Sequence, residues 1–360
     1  MQHIDIAKGI GISIIVLAHN YLGSKYNNGA LFSLTVSFSF NMPLFYLLSG
    51  VFFKTSDPFA VVLKKKYDSV LVPYLATLLT AALVKFVIQD GFSFRFLIYR
   101  LKTILFGTGG MIDFTWTALW FLPSLFVTII SFKIVHSLFL SRLKNVVLEI
   151  IAVFAILVMG FFLMRSDNQY YRYFRDTYYG LPWGIDFMPI SVFYFAMGYY
   201  AKPLLIEIYN NDALNKKIIA ASLLVLAFLM LTSNAGIDLN RRIYDDLIVC
   251  TLKALSGILL IVGVSGLLEK SGFERIKKLL LTLGRLSLIV FIFHGIVQNT
   301  SFNYLTSYAA LPKPYAGVIS LLLALGIPVA LYYLVITRIG FLQTVYAPVK
   351  KKQVPQEGSH

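Results

Sequence analysis

Long apolar stretches separated by short polar loops constrain this chain more than any other feature of its sequence. A helix needs roughly 20 apolar residues to cross about 30 Å of hydrocarbon. Stretches of about this length cover 6–23, 31–53, 69–89, 117–140, 146–164, 184–204, 217–233, 245–267, 279–300 and 316–337. Hydrophobic residues make up 58% of the chain and charged residues only 14%, whereas soluble domains carry about a quarter charged residues. The sequence therefore predicts an all-α, polytopic membrane helix bundle with about ten transmembrane helices.

The polar segments are too short to form a separate soluble domain. Residues 1–345 are therefore predicted to form one transmembrane domain, and the polar tail 346–360 is predicted to be disordered. The first apolar stretch has no basic segment before it and no cleavage site after it, so we interpret it as a retained span. The single cysteine, Cys250, excludes an intrachain disulfide framework and a cysteine-rich metal site.

The net charge of +15 is better explained by membrane topology than by binding to nucleic acid. With the N-terminus in the cytoplasm, Lys and Arg residues in the inner loops outnumber those in the outer loops by about two to one, as cytoplasmic loops require. An even number of spans then places the C-terminus in the cytoplasm as well.

Two loop segments do not fit this scheme of simple connections. Segment 91–115 is too interrupted to span the membrane, and its mixture of apolar and basic residues predicts an interfacial or re-entrant helix. Tyrosines crowd the outer loop 166–184. They are typical of the aromatic belt at a membrane surface, and they would also suit a surface for sugar rings.

The first span, which contains the sequence DIAKGIGISIIVLAHN, carries ionisable residues at both ends. Lys8 and His19 are eleven residues apart, so on a helix they lie about 20° from eclipsed and roughly 16 Å apart along the axis. Asp5, Ile12 and Ile15 lie nearly on the same stripe. Ionisable groups at membrane depth usually face the interior of a bundle or an aqueous cavity. The alternative is a histidine that only packs and a lysine that extends to the inner surface.

A second histidine occurs deep in a later span, within GRLSLIVFIFHGIVQNT. If that helix begins near Leu279, His294 lies roughly 20 Å along it, at about the depth of His19. Two imidazoles at one depth predict a shared site. A neutral imidazole can take a proton from a hydroxyl near pH 7, which is the property of a general base.

These residues belong to a set of motifs that resembles the acyltransferase-3 family of integral membrane acyltransferases, especially the branch related to fucose 4-O-acetylases. Lys8 and His19 match the family's basic residue, ten intervening residues and histidine, although arginine is commoner at the first position. The further matches, in order, are NMPLFYLLSGVFFK (41–54), KKKYDSVLVPYL (64–75), ALWFLPSLF (118–126) and GRLSLIVFIFH (284–294).

The resemblance implies an O-acyltransferase in the bacterial cytoplasmic (inner) membrane. The acyl group, expected to be acetyl, would pass from cytoplasmic acetyl-CoA or another acyl-CoA to a hydroxyl of a cell-surface glycan or a lipid-linked saccharide precursor. Membrane lipids are the other expected partners. No metal and no nucleic acid are implied, and the sequence does not indicate an oligomer. A secondary transporter or flippase for a glycan or small anion is the alternative, because deep His and Lys residues also serve proton coupling.

Within that implied reaction, His19 is the expected general base and Lys8 holds the phosphates of the donor. Ser49, Asn41 or His294 would donate a hydrogen bond to the oxyanion, and the sequence does not choose among them. Asp5 either orients Lys8 or is an acid in the first helical turn. The other expected phosphate ligands are Lys64, Lys65, Lys66 and Arg285, of which the three lysines are also explained as topology anchors.

The expected acceptor-binding residues are Asn41, Asp113, Trp116, Trp120 and Lys253. Tryptophan faces suit sugar rings, but interfacial tryptophans are common. Lys253 lies near the middle of its predicted span, where it needs an ion-pair partner or a water-filled cavity. The adjacent charges Arg241 with Arg242, and Asp245 with Asp246, are predicted to be solvated loop residues.

Overall fold

Helices account for nearly all of the regular structure in the computed structural model, which describes residues 1–20, 40–164 and 180–347. The helices are α1 (Gln2–His19), α2 (Asn41–Val51), α3 (Phe59–Lys66), α4 (Val72–Ile88), α5 (Phe94–Phe106), α6 (Phe121–Leu138), α7 (Val146–Met164), α8 (Met188–Tyr200), α9 (Lys202–Asn210), α10 (Asp212–Thr232), α11 (Leu247–Lys270), α12 (Glu274–Arg285), α13 (Ser287–Ser307), α14 (Lys313–Leu334) and α15 (Gly340–Tyr346). Strands β1 (Ile237–Asp238) and β2 (Ile243–Tyr244) form one antiparallel hairpin, with Ile237 opposite Tyr244. Short 3-10 helices cover Phe114–Trp120, Leu140–Arg142, Pro182–Gly184 and Ile336–Arg338.

Six helical segments of the described chain are long and apolar enough to cross a membrane. They are Phe59–Ile88, Thr115–Arg142, Val146–Met164, Asp212–Thr232, Leu247–Lys270 and Lys313–Arg338, and the bent pair α12 and α13 makes a seventh if it is one span. The all-α membrane bundle is thus confirmed. The count of ten spans and the cytoplasmic termini stay predictions. Parts of the predicted span 31–53, most of the tyrosine-rich loop 166–184 and most of the tail 346–360 lie outside the described residues.

The outer helices present apolar side chains that no other helix covers. Ile151 of α7 is 58% exposed, Leu224 and Leu231 of α10 are 70% and 88% exposed, and Leu322 of α14 is 63% exposed. Apolar surface on this scale is not stable in water as a monomer. Lipid must cover these helices, so the chain is a multi-pass membrane protein.

The helix from Phe59 to Ile88 contains one π-helical turn at Tyr67–Leu71. Pro73 follows this turn after one residue, Val72. Because proline has no N–H and its ring clashes with the carbonyl four residues earlier, the regular α-helical hydrogen bonds cannot continue through this point. A π-helical turn absorbs the mismatch without ending the helix.

Segment 91–115 contains α5, so the prediction of a short helix there is confirmed, and its position at the membrane surface stays a prediction. Several of its apolar side chains are exposed, among them Phe94 at 70% and Leu105 at 66%. The buried residues of helix α5 are Thr103 and Ile104, near the carboxyl end of that helix.

Helix α1 is surrounded by other helices. It packs against α2, α11, α12, α13 and α14.

Helices α2 and α8 approach each other closely. A Cβ at Gly50 would overlap the carbonyl of Phe195, and a Cβ at Gly198 would overlap that of Leu47. Helices α2 and α8 therefore cross with their backbones in contact, as small residues allow in membranes.

The predicted span 279–300 is wrong as one straight helix. It is divided into α12 and α13, which meet at 86°. Gly284 and Gly9 explain the bend, because they let α12 lie with its backbone against the amino-terminal half of α1. A Cβ at Gly284 would overlap the Asp5 carbonyl, and one at Gly9 would overlap the Leu280 carbonyl.

We predict that Gly284→Ala separates α12 from α1 and destabilises the protein. Overpacking typically costs about 1–3 kcal/mol, and here the neighbour is backbone, which cannot rotate away. Thermal unfolding of the purified protein in detergent should show a clearly lower Tm. Gly326→Ala in α14 is the matched control, since a Cβ there meets nothing within 4 Å. An equal Tm for the two variants would contradict the backbone contact.

Arg242 corrects the prediction that the charges of this loop are solvated. Its residue is 2% exposed, and its guanidinium donates to both carboxylate oxygens of Asp186, at 3.0 Å from Nε and 3.3 Å from Nη2. It also donates to the Asn240 carbonyl at 2.7 Å. Asp186 immediately precedes the segment that leads into α8, so this buried ion pair fixes the β-hairpin to the bundle. Arg241, Asp245 and Asp246 are exposed, as predicted.

Candidate active site

The structure brings His19 and His294 together at the end of α1 and in the first half of α13. Their ring centroids are 5.3 Å apart and the rings meet edge to face at 65°. His19 is exposed, whereas His294 is 1% exposed. One imidazole of the pair is therefore accessible and the other is enclosed by protein.

Backbone carbonyls determine which nitrogen of each ring carries the proton. His19 Nδ1 lies 2.9 Å from the Ile15 carbonyl oxygen, and His294 Nδ1 lies 2.8 Å from that of Phe291. A carbonyl can only accept, so in each neutral ring Nδ1 is the donor and Nε2 keeps its lone pair. Each ring thus has the tautomer that a general base acting through Nε2 requires.

Unpaired polar atoms surround the buried member of the pair. In the part of the chain that the structure describes, His294 Nε2 and Gln298 Oε1 are both buried without a hydrogen-bond partner. Gln298 is one helical turn after His294, and its Nε2 donates to the Val16 carbonyl at 3.3 Å, which ties α13 to α1. Leaving a buried polar atom unpaired costs about 1–3 kcal/mol, so these atoms mark a place where a ligand can bind. Gln298 is not among the predicted site residues, although its i, i+4 spacing from His294 is visible in the sequence.

The predicted position of His294 along its helix is wrong. Helix α13 begins at Ser287 rather than near Leu279, so His294 lies only about 10 Å along its own helix. The two rings meet because α12 turns away from α13 and lets α13 approach α1.

The β-hairpin contributes an acid that sequence analysis did not identify. Asp238 of β1 is close enough to His19 for its negative charge to act on the imidazole. The carboxylate also accepts a hydrogen bond from the Arg241 backbone N–H at 3.1 Å. Some 220 residues separate Asp238 from His19 in the sequence, and only the fold shows that they are neighbours.

Lys8 lies at the other end of α1 within a group of charged side chains. Its Nζ is 3.6 Å from Asp5 Oδ1 and 5.0 Å from the centre of the Phe52 ring. Arg285 Nε lies 3.9 Å from the other oxygen of Asp5. Asp5 therefore stands between two cations, which is the position that an orienting role requires, while it also occupies the first turn of α1.

The three consecutive lysines before the π-helical turn point in different directions. Lys64 and Lys65 are largely exposed and pair with Asp68 at 3.3 Å and Asp57 at 2.9 Å. Lys66 is partly buried and lies close enough to Lys8 for mutual repulsion. Only Lys66 of the three thus adds to the charge around Lys8.

Between its two charged ends, the stripe faces the interior of the bundle. Ile12 and Ile15 are 0% and 2% exposed. Side chains of neighbouring helices cover this part of α1, so Lys8 and His19 are joined by packed protein rather than by a lipid-facing surface.

Ser49 and Asn41, both on α2, differ in the state of their polar atoms. The Ser49 hydroxyl donates to the Phe45 carbonyl at 2.7 Å, within its own helix. Asn41 Oδ1 is buried without a partner. Of these two residues, Asn41 is the one with a free polar atom.

The predicted acceptor-binding residues fall into two places. Asp113 caps the 3-10 helix Phe114–Trp120 by accepting from the Thr115 N–H at 3.2 Å. This helix carries Trp116 and Trp120, which are 8% and 7% exposed. A Cβ at Gly295 would lie 2.5 Å from the Thr115 carbonyl, so the helix packs directly beside His294.

Lys253 lies apart from this group and has its own hydrogen bonds. Its Nζ donates to the carbonyls of Ser233 and Ala235 at 2.7 and 2.8 Å, just after the end of α10. A cation at a helix carboxyl end is favourable. The burial of Lys253 is thus explained without a substrate, and its predicted role in binding stays untested.

Comparisons with known proteins identify the family. The family model described as an acyltransferase domain, of the acyltransferase-3 family, matches residues 1–333. No curated protein and no solved structure gives a match. The likeness seen in the motifs is therefore confirmed at the level of the family, and the fucose 4-O-acetylase branch stays a prediction. The chain belongs to the acyltransferase-3 family of membrane acyltransferases.

Proposed function

We propose that this protein transfers an acyl group, acetyl by expectation, from cytoplasmic acyl-CoA to a hydroxyl of a cell-surface carbohydrate or its lipid-linked precursor. The observation that carries the proposal is the His19–His294 pair, in which both Nε2 atoms keep a lone pair and one is buried without a partner. The membrane in question is the bacterial cytoplasmic membrane.

The chemical step uses His19 as general base. His19 Nε2 takes the proton of the acceptor hydroxyl while the oxygen attacks the carbonyl carbon of the thioester. The tetrahedral intermediate then breaks its C–S bond, and the leaving thiolate takes the proton from the His19 imidazolium. An ester and free CoA are formed. Asp238 stabilises the imidazolium by its negative charge.

The group around Lys8 is suited to the donor's phosphates. Lys8, Lys66 and Arg285 place three cations around one end of α1, with Asp5 as the single nearby acid between two of them. Lysine offers a point charge where arginine would offer a planar fork. The pantetheine arm then has to part α1 from its neighbours beside Ile12 and Ile15 to reach His19.

The test is turnover by the purified protein in lipid nanodiscs. Acetyl-CoA and a panel of saccharide acceptors are supplied, free CoA thiol is measured, and mass spectrometry identifies an acetyl ester on the acceptor. Release of CoA with formation of the ester supports the proposal. Movement of a glycan or small anion in liposomes, without acyl-CoA turnover, would instead support a transporter.

We predict that Lys8→Met weakens acyl-CoA binding by about tenfold, because a charge-assisted hydrogen bond is worth about 1.5–3 kcal/mol. Lys8→Arg should keep the affinity, since the guanidinium also binds phosphate. Equilibrium binding of acetyl-CoA measures both effects. Lys216→Met, at an exposed position of α10, is the control and should bind like the native protein. Equal affinities for all three variants would exclude Lys8 from the donor site.

A further inference from the structure

A cavity of about 170 Å³ lies between α4, α5 and the 3-10 helix Phe114–Trp120. Its volume is several times the roughly 30 Å³ of a water molecule. The polar part of its wall consists of Lys85, Arg100 and Asp113, and Tyr99 and Trp116 add aromatic surface. Apolar side chains such as Ala82 complete the wall. The proposed reaction uses neither Lys85 nor Arg100.

The wall of this cavity carries two cations and one acid, and a second acid, Asp90, pairs with Arg100 without being part of the wall. Asp113 pairs with Lys85 and, at 3.7 Å, with Arg100. The guanidinium of Arg100 also donates to both oxygens of Asp90, at 2.9 and 3.0 Å. Burial alone raises the pKa of Asp113, but the hydrogen bond and charge of Lys85 outweigh this effect and hold the pKa below its usual value. The two acids and the two cations therefore form a connected set of ion pairs whose formal charges sum to zero.

This balance favours an uncharged ligand rich in hydroxyl groups. An anion would have to compete with Asp90 and Asp113 for the same two cations. Sugar hydroxyls can instead donate to the carboxylate of Asp113 and accept from Lys85 while the ion pairs remain. The Trp116 side chain supplies the apolar surface against which a sugar ring packs.

The cavity is close to His294 but separated from it by backbone. Neither His19 nor His294 lines it. The 3-10 helix lies between them, with Trp116 at the cavity and the Thr115 carbonyl against Gly295, the residue after His294. A ring bound in the cavity is thus held beside the reacting centre, on the far side of one turn of backbone.

We propose that this cavity is a subsite for one uncharged sugar residue of the acceptor, next to the residue that is acylated. The inference rests on the proposed function, because it requires a carbohydrate acceptor. The subsite makes the enzyme prefer acceptors of at least two sugar residues. Its residues bind and position the acceptor and take no part in proton transfer.

The test compares KM for neutral methyl monosaccharides and methyl disaccharides, with acetyl-CoA as donor. Ala82→Leu fills the cavity without removing a polar group, and Lys85→Met removes one cation. Both variants should raise KM for disaccharides about tenfold or more and leave KM for monosaccharides and kcat nearly unchanged. Lys102→Met is the matched control, because Lys102 is exposed on α5 and does not line the cavity.

The possible failures can be told apart. If the native protein neither releases CoA nor forms an ester, the proposed function fails. If it acylates both acceptor classes and the variants leave both KM values unchanged, only the subsite is excluded. Competition by inorganic pyrophosphate that is lost in Lys85→Met would overturn the uncharged ligand in favour of an anion.

Discussion

His19→Ala is expected to lower kcat for acyl transfer by about 10²–10⁴-fold, the usual contribution of a positioned general base. In the proposed reaction, this imidazole is the group at the end of α1 that takes the hydroxyl proton. His19 is exposed and its Nδ1 bonds only within α1. The substitution should therefore leave the fold and the affinity for acetyl-CoA nearly unchanged. Rapid-quench measurement of ester formation, with acetyl-CoA binding measured separately, shows which step has changed.

The matched control for this experiment is His136→Gln. His136 lies on α6 and makes ring contacts with Phe132 and Tyr199, away from the histidine pair. This variant should turn over like the native protein. If His19→Ala retained full kcat, or lost acetyl-CoA binding in the same proportion as activity, His19 would not be the general base.

The sequence was sufficient to predict the class of fold and to place Lys8 and His19 on one helix, although α1 covers Gln2–His19 and the predicted span covered 6–23. Hydropathy over about 20 residues is a local property, and the angular spacing of Lys8 and His19 follows from the helix alone. Ile12 and Ile15 are buried between them, which agrees with a stripe that faces the bundle. Ile6 and Ala7, on other sides of α1, are also 0% exposed, so the functional role of the stripe stays a prediction.

Features that depend on contacts between distant segments could not be predicted. The 86° bend between α12 and α13 depends on Gly284 meeting the backbone of α1. The burial of Arg242 depends on Asp186, which is 56 residues away. A local pattern of apolar residues does not show which distant segments come into contact. For this reason the sequence predicted a solvated Arg242 and one continuous helix over 279–300.

The tautomers also narrow the choice of oxyanion donor, which the sequence left open. His294 Nδ1 is committed to backbone carbonyls, so its neutral ring can only accept at Nε2. The Ser49 proton is directed to Phe45. The side-chain amide of Asn41, which carries two N–H donors, is then the remaining candidate of the three. His294 Nε2 is better suited to accept a hydrogen bond, and in the proposed reaction His19 can donate one from Nε2–H once it is protonated.

His294→Leu is expected to lower activity while leaving the protein as stable or more stable. Replacing the buried imidazole by an apolar side chain of similar size removes the unpartnered Nε2, an atom whose burial costs about 1–3 kcal/mol. The hydrogen bond that Nε2 accepts during the reaction is lost at the same time, so kcat should fall by about 10–100-fold. Thermal unfolding and turnover measured on one preparation give both quantities. A residue needed only for packing would show the opposite, a lower Tm with activity lost in proportion to unfolded protein.

The double variant His19→Ala with His294→Leu shows whether the two rings act as a unit. Groups that act together in one step have strongly non-additive effects on kcat. We therefore expect the double variant to lose about as much activity as His19→Ala alone, because His294 assists a proton transfer that no longer occurs. Losses that multiply would mean that His294 acts independently of His19, for example through the packing of Gly295 against the helix that carries Trp116. The His19–His294 contact would then be a result of close packing and not the reacting centre.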